Sequence, residues 1–138
     1  MKKLMKAVFL TLFLAALPAL AATDHGRHDH SSVDQAIAGT ATEAGIKATL
    51  KVNRPNSMVD LYLADEKTGM PVTSGKVFAE IKLPDGKIVE KELMGMKMGQ
   101  EYSFMNSLDL SLKGKYAFDI SVSAGSRRAR FDFIYTAK

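Results

Sequence analysis

The chain contains no cysteine and no tryptophan, and it has only three histidines and four prolines. The missing cysteines exclude a disulfide scaffold, a thiolate zinc site, an iron–sulfur cluster, a covalently attached haem, a thiol nucleophile and an acylated lipoprotein anchor. Any chemistry must come from histidine, methionine, carboxylates or backbone. No glycine-rich loop precedes a helical pattern, so nothing supports nucleotide binding. The formal charge of +4 over 138 residues would suggest an anionic partner if it belonged to the working protein.

Most of that charge sits in an address. Lys2, Lys3 and Lys6 precede an apolar run from Ala7 to Leu17 that carries no charge and one polar residue, Thr11, followed by Pro18 and the small-residue stretch Ala19-Leu20-Ala21. This is the order of a secretory signal peptide, read here as residues 1–21. The stretch from Ala7 to Ala22 has 16 residues, short of the roughly 20 that cross a bilayer. The sequence therefore predicts cleavage, after Ala21 or after Ala22, and no stable membrane anchor afterwards. Removing three lysines lowers the formal charge from +4 to +1, so a nucleic-acid partner is not expected. The expected destination is a periplasm or the cell exterior, where a chain without disulfides must hold together by its core.

Residues 22–45, ATDHGRHDHSSVDQAIAGTATEAG, are polar or small and predict a flexible arm. From Ile46 onward, period-two alternation takes over. Ile46, Ala48, Leu50 and Val52 form one inward set, Val59, Leu61 and Leu63 the next, and Val77, Ala79, Ile81 and Leu83 a third. Pro84-Asp85-Gly86 is a hairpin turn leading into a strand from Lys87 to about Leu93. Glu101–Met105 and Leu108–Leu112 read as extended segments. Tyr116, Phe118, Ile120 and Val122, then Ala129, Phe131, Phe133 and Tyr135, supply two long closing strands. Residues 46–138 thus predict an all-β domain, an antiparallel immunoglobulin-like β-sandwich of about seven strands. A small β-barrel is the alternative, because strand count does not decide closure.

Several turn and core residues carry a resemblance. Asp65-Glu66-Lys67-Thr68-Gly69-Met70-Pro71-Val72, Gly75-Lys76-Val77, Leu83-Pro84-Asp85-Gly86, Leu110-Ser111-Leu112-Lys113-Gly114-Lys115-Tyr116 and the closing Phe131-Asp132-Phe133 together resemble the YtkA-like domain, a family related to FixH-like proteins. The resemblance covers about Ile46 to Tyr135. It implies an extracytoplasmic immunoglobulin-like sandwich of a kind often associated with copper handling or oxidase assembly, and it implies no catalytic residue.

Two groups of residues have ligand chemistry. His25, His28 and His30 fall within six residues, interleaved with Asp24 and Asp29. Neutral imidazoles and carboxylates on an arm can wrap Cu(II), Ni(II) or Zn(II), copper being favoured by intrinsic affinity. Cleavage after Ala22 would in addition place His25 third from a free amine, an arrangement suited to square-planar Cu(II) or Ni(II). The bland reading is a solvated polar tail. Met94, Met96 and Met98 alternate with Gly95 and Lys97, so in an extended chain their thioethers share one side. Soft uncharged sulfurs suit Cu(I), with Met70 or Met105 as further donors brought in by the fold. The competing reading is that these methionines fill the end of the core, with the neighbouring glycines marking an irregular loop.

Arg127, Arg128 and Arg130 read as a solvated strand edge protected by charge, and Asp60, Asp119 and Asp132 as outward strand positions. With every histidine in the arm, rigid catalytic geometry is absent and an enzyme is not expected. The expectation is an exported metal-binding or metal-delivery accessory protein, with copper as its ion. The rival is a metal-free interaction module for another envelope protein, with Phe78 and Tyr62 as outward contacts.

Overall fold

The computed structural model describes residues 35–138. The expected signal peptide at 1–21 and the arm residues Asp24, His25, His28, Asp29 and His30 lie outside the described residues. Within them are eight strands: β1 (Gln35–Glu43), β2 (Ile46–Asn53), β3 (Met58–Asp65), β4 (Lys76–Lys82), β5 (Ile88–Met98), β6 (Glu101–Ser107), β7 (Gly114–Ala124) and β8 (Arg127–Ala137). Neighbours run in the order β1-β2-β3-β6-β5-β4-β7-β8, and every pairing is antiparallel. The all-β antiparallel expectation holds, in a form between sandwich and barrel.

The intermediate form follows from β5. Its first half pairs with β4 up to Leu93 opposite Val77, and its second half pairs with β6 from Met94 opposite Met105. One strand thereby passes from one layer to the other, as strands do at the corners of packed sheets. The first layer is β1, β2, β3, β6 and the end of β5; the second is the start of β5, β4, β7 and β8. At the opposite seam β1 lies against β8. Glu43 Oε1 accepts from the Arg130 amide at 3.2 Å, and a Cβ at Gly39 would stand 2.7 Å from the Phe133 ring.

β1 corrects the arm expected over 22–45, since residues 35–43 form a paired strand. Ala44 and Gly45, both at positive φ (55° and 76°), make the tight turn between Glu43 and its partner Ile46. The strand is poor in large apolar residues because Phe133 of β8 fills the space beneath it. Gly39 admits that ring, and only Ala38 and Ala41 pack on the core.

The expected inward sets are buried on β2, β3, β4, β7 and β8 in one cluster, except that Leu83, just past β4, and Tyr135 are only partly buried against it, and each large member removed from water contributes about 1.5–3 kcal/mol. Tyr116 is fully buried, and its hydroxyl donates to the Leu112 carbonyl at 2.7 Å, so its polar end is satisfied. A second correction concerns Leu108–Leu112, which is not a strand. Leu108 and Leu110 turn inward and plug the end of the core. Their backbone is fixed by Arg54, whose Nε donates to Leu110 O at 2.8 Å and whose terminal amine donates to Ser111 O at 3.1 Å.

Candidate metal centre

The methionine run is not a loop. β5 continues through Met98, then turns at Gly99 (φ 63°) and Gln100 into β6, with Met98 opposite Glu101. The glycine between the first two methionines has a packing reason. A Cβ at Gly95 would come within 2.9 Å of Tyr102 Cζ and closer still to the hydroxyl. Tyr102 occupies that space, its ring edge-on to Phe104 at 5.5 Å between centroids. The inner side of the run is thus closed by an aromatic pair. Strand alternation sends Met94, Met96 and Met98 outward.

The three side chains are exposed at 56%, 49% and 59%, which answers the reading that they fill the core: they do not. Cross-strand register extends the face. Met94 stands opposite Met105, Met105 opposite Asp60, Asp60 opposite Lys51, and Lys51 opposite Ile37. Met105 therefore joins the methionines as expected, directly opposite partners being about 4.5–5.5 Å apart at Cα. Met70 does not share this pairing. It lies in the loop after β3, where its carbonyl accepts from the Asp65 amide at 2.8 Å.

Asp60 is the residue that sequence reasoning passed over. Outward by strand parity, it is nevertheless only 7% exposed. Its Oδ2 accepts from Gln35 Nε2 at 3.0 Å, while Oδ1 is buried with no hydrogen-bond partner among the described residues. Burial pushes its carboxyl above the usual range, against the opposing pull of the Gln35 hydrogen bond and the Lys51 charge. Lys51 is held nearby with its Nζ 4.7 Å from the centre of the Tyr62 ring. Tyr62 itself is half-buried; burial, and then the neighbouring Asp60 and Glu101 charges, raise its phenol. No sequence pattern marked Asp60, because its cover comes from β1, a strand hidden in the small-residue segment.

The three arginines of the last hairpin are engaged elsewhere. Arg127 pairs with Asp65 at 3.1 Å and Arg130 with Asp119 at 2.6 Å, while Arg128 donates to the Gly125 carbonyl at 3.4 Å. Phe78 is half exposed on the outer face of the second layer, as expected. Among the described residues no group of three or more histidines and carboxylates is placed to hold a metal ion, so the ligand chemistry on this face is thioether sulfur with the carboxylates of Asp60 and, opposite Met98, Glu101.

No family model and no curated protein matches the sequence. Solved structures do match. FetP from uropathogenic Escherichia coli strain F11, expressed in the periplasm, superposes with a TM-score of 0.61 at 10% identity, over 75% of this chain and 97% of that one. A copper-bound glutamate-to-glutamine variant of the same protein gives 0.62 at 10% identity, over 75% and 97%. The copper-reconstituted P19 protein from Campylobacter jejuni gives 0.63 at 12% identity, over 75% and 96%. At such identities the likeness is one of architecture: this chain has the fold of FetP and P19.

Proposed function

We propose that this chain is an exported, non-catalytic copper-binding protein of the cell envelope, a member of the YtkA-like and FixH-like group that binds and hands on copper. The observation that carries the reading is the set of four thioethers, Met94, Met96, Met98 and Met105, on one sheet face with the first three half exposed. Large apolar side chains aligned in solvent are a feature a monomer ordinarily avoids. Soft neutral sulfur donors select Cu(I) over the harder divalent ions. The histidine segment, His25, His28 and His30 with Asp24 and Asp29, supplies the borderline donors that suit Cu(II). The sequence features of a cleaved leader, and a fold shared with copper-bound P19 and FetP structures, support the same reading.

The test is titration of mature protein with Cu(I) under reducing conditions and with Cu(II) in air. Replacing Met94, Met96 and Met98 together by leucine should abolish Cu(I) binding and leave the fold intact. Unchanged Cu(I) affinity would remove the sulfur site from the proposal.

A second reading has its own observation. On the outer face of the second layer, Glu90, Glu80, Asp119 and Asp132 stand in one cross-strand row, near the exposed Phe78, Ile88 and Ile134. Such a face would suit an envelope protein that presents basic and apolar side chains together. Absence of copper binding at micromolar concentration would leave this reading alone.

A further inference from the structure

The chain offers an oxidant no cysteine and no tryptophan, so its thioethers are the groups from which a two-electron oxidant most readily takes electrons. Beyond the expected leader these belong to Met58, Met70, Met94, Met96, Met98 and Met105. The fold sorts them by access. Met70, Met94, Met96 and Met98 are exposed, whereas Met58 and Met105 are half-buried. Three of the four exposed thioethers therefore share one strand face.

That face is insulated from the core. Methionine oxidation ordinarily damages a protein because a polar sulfoxide disrupts apolar packing. None of the three belongs to the core cluster, and the inner side of their strand is closed by Tyr102 and Phe104. The strand is held by main-chain pairing of Met94, Met96 and Met98 with Met105, Ser103 and Glu101, to which the thioethers contribute no hydrogen bond. An oxygen added to any of these sulfurs would project into water and leave the ladder intact.

Resting on the copper reading above, we propose that this face is a reversible oxidation site: a peroxide-class oxidant converts Met94, Met96 and Met98 to sulfoxides, and Cu(I) capture stops until they are reduced. In each step a sulfur lone pair attacks one peroxide oxygen, so that an S–O bond forms while the O–O bond breaks. Sulfur gives up two electrons. The departing hydroxide takes the proton left on the transferred oxygen and becomes water. Reversal by a methionine sulfoxide reductase returns two electrons, drawn from a dithiol, with two protons, and releases the added oxygen as water.

The loss of copper follows from the same electron pair. A thioether binds Cu(I) through a soft sulfur lone pair, and the sulfoxide presents a hard oxygen in its place. Conversely, a soft ion bound to the face occupies the lone pairs that the oxidant needs, so a loaded face resists oxidation. Met70, at 64% exposed the most accessible of the six, lies outside the face. Its oxidation should leave copper binding unchanged.

The experiment treats mature protein with limiting hydrogen peroxide and follows each methionine by peptide mass spectrometry, with Cu(I) titration and a urea melt on the same samples. Sulfoxides should form at Met70, Met94, Met96 and Met98 ahead of Met58 and Met105. Cu(I) binding should be lost with the urea midpoint unchanged, and should return after incubation with the two reductases, one for each sulfoxide epimer. Ag(I), a soft ion that peroxide leaves unchanged, should slow oxidation at Met94, Met96 and Met98 and not at Met70. Met70→Leu should bind Cu(I) and lose it on oxidation as the parent does. Oxidation of Met58 and Met105 as fast as the other four, with a falling urea midpoint, would mean general damage and overturn the site. Cu(I) binding that survives sulfoxides at all three positions, or a loss that the reductases do not reverse, would overturn the switching role. Absence of Cu(I) binding before treatment would overturn the copper reading and the switching built on it, while the order of oxidation would still decide the modification site.

Discussion

The Tyr102 ring occupies the volume in which a side chain at Gly95 would stand, so a glycine inside β5 holds the methionines in register. Replacing Gly95 by alanine would drive the ring away from Phe104 and strain the hairpin. Overpacking of this kind costs about 1–3 kcal/mol. A lower urea midpoint with an unchanged slope is the expected outcome. A Gly95→Ala/Tyr102→Phe double variant would recover part of the loss, because the hydroxyl makes the closest approach.

Asp60 predicts an unusual pH response. Its folded-state carboxyl is raised by burial, so the folded protein binds its proton more tightly than the unfolded chain does. This residue therefore opposes folding at neutral pH, and the opposition is relieved as pH falls through the folded-state value. Asp60→Asn should raise the unfolding midpoint at pH 7. Its advantage over the parent should shrink on acidification, once the parent carboxyl is neutral as well. Parallel urea melts of the two proteins from pH 7 to pH 3 measure the difference directly; a constant gap would refute the argument.

Asp65 has the opposite sign. Hydrogen bonds from the Thr68 and Lys67 amides, followed by the Arg127 guanidinium, hold its carboxyl below the usual range. The stability it confers is present above the unfolded-state value and disappears as pH falls through the folded-state one. Asp65→Asn should accordingly be less stable than the parent at neutral pH and converge with it in acid, the mirror image of Asp60→Asn.

Arg54 ties the 108–112 crossover to the end of the core through the Leu110 and Ser111 carbonyls, and donates to the Lys138 carbonyl at 3.1 Å. Hydrogen bonds from a charged donor contribute about 1.5–3 kcal/mol. Arg54→Ala should destabilise by about that amount in total, with faster amide exchange at Leu108 N, which donates to Ser57 O. Lysine should not rescue the loss, since one ammonium cannot reproduce the planar fork.

The β1–β8 seam is tested at Gly39. Gly39→Val places branched carbons against the Phe133 ring, and β1 should detach before the rest of the fold. Amides of 36–42 would then exchange at a lower opening free energy than those of β2.

These residues also separate what the sequence disclosed from what it concealed. Period-two alternation was readable on β2, β3, β4, β7 and β8 because each buries one face of large side chains. β1 was concealed because its inner side is small wherever Phe133 is large, a complementarity across nearly the whole chain. Leu108–Leu112 alternates like a strand, yet it is a crossover in which Leu108 and Leu110 turn inward and the backbone is held by an arginine 54 positions before Leu108. The alignment of Met94, Met96 and Met98 on one side was legible, as was the approach of Met105 to them. Asp60 was not, because its burial depends on Gln35 arriving from a strand that the composition had assigned to the arm.

The passage of β5 between layers bears on tempo as well as shape. Met94, Met96 and Met98 belong to a strand whose other half is stitched into the second layer, so their backbone spacing is set before any ion arrives. Capturing an ion there would order thioether rotamers and little else, and releasing it would require no unfolding. Exchange on such a face would be paced by side-chain rotation and ligand substitution, as the copper hand-off proposed above requires.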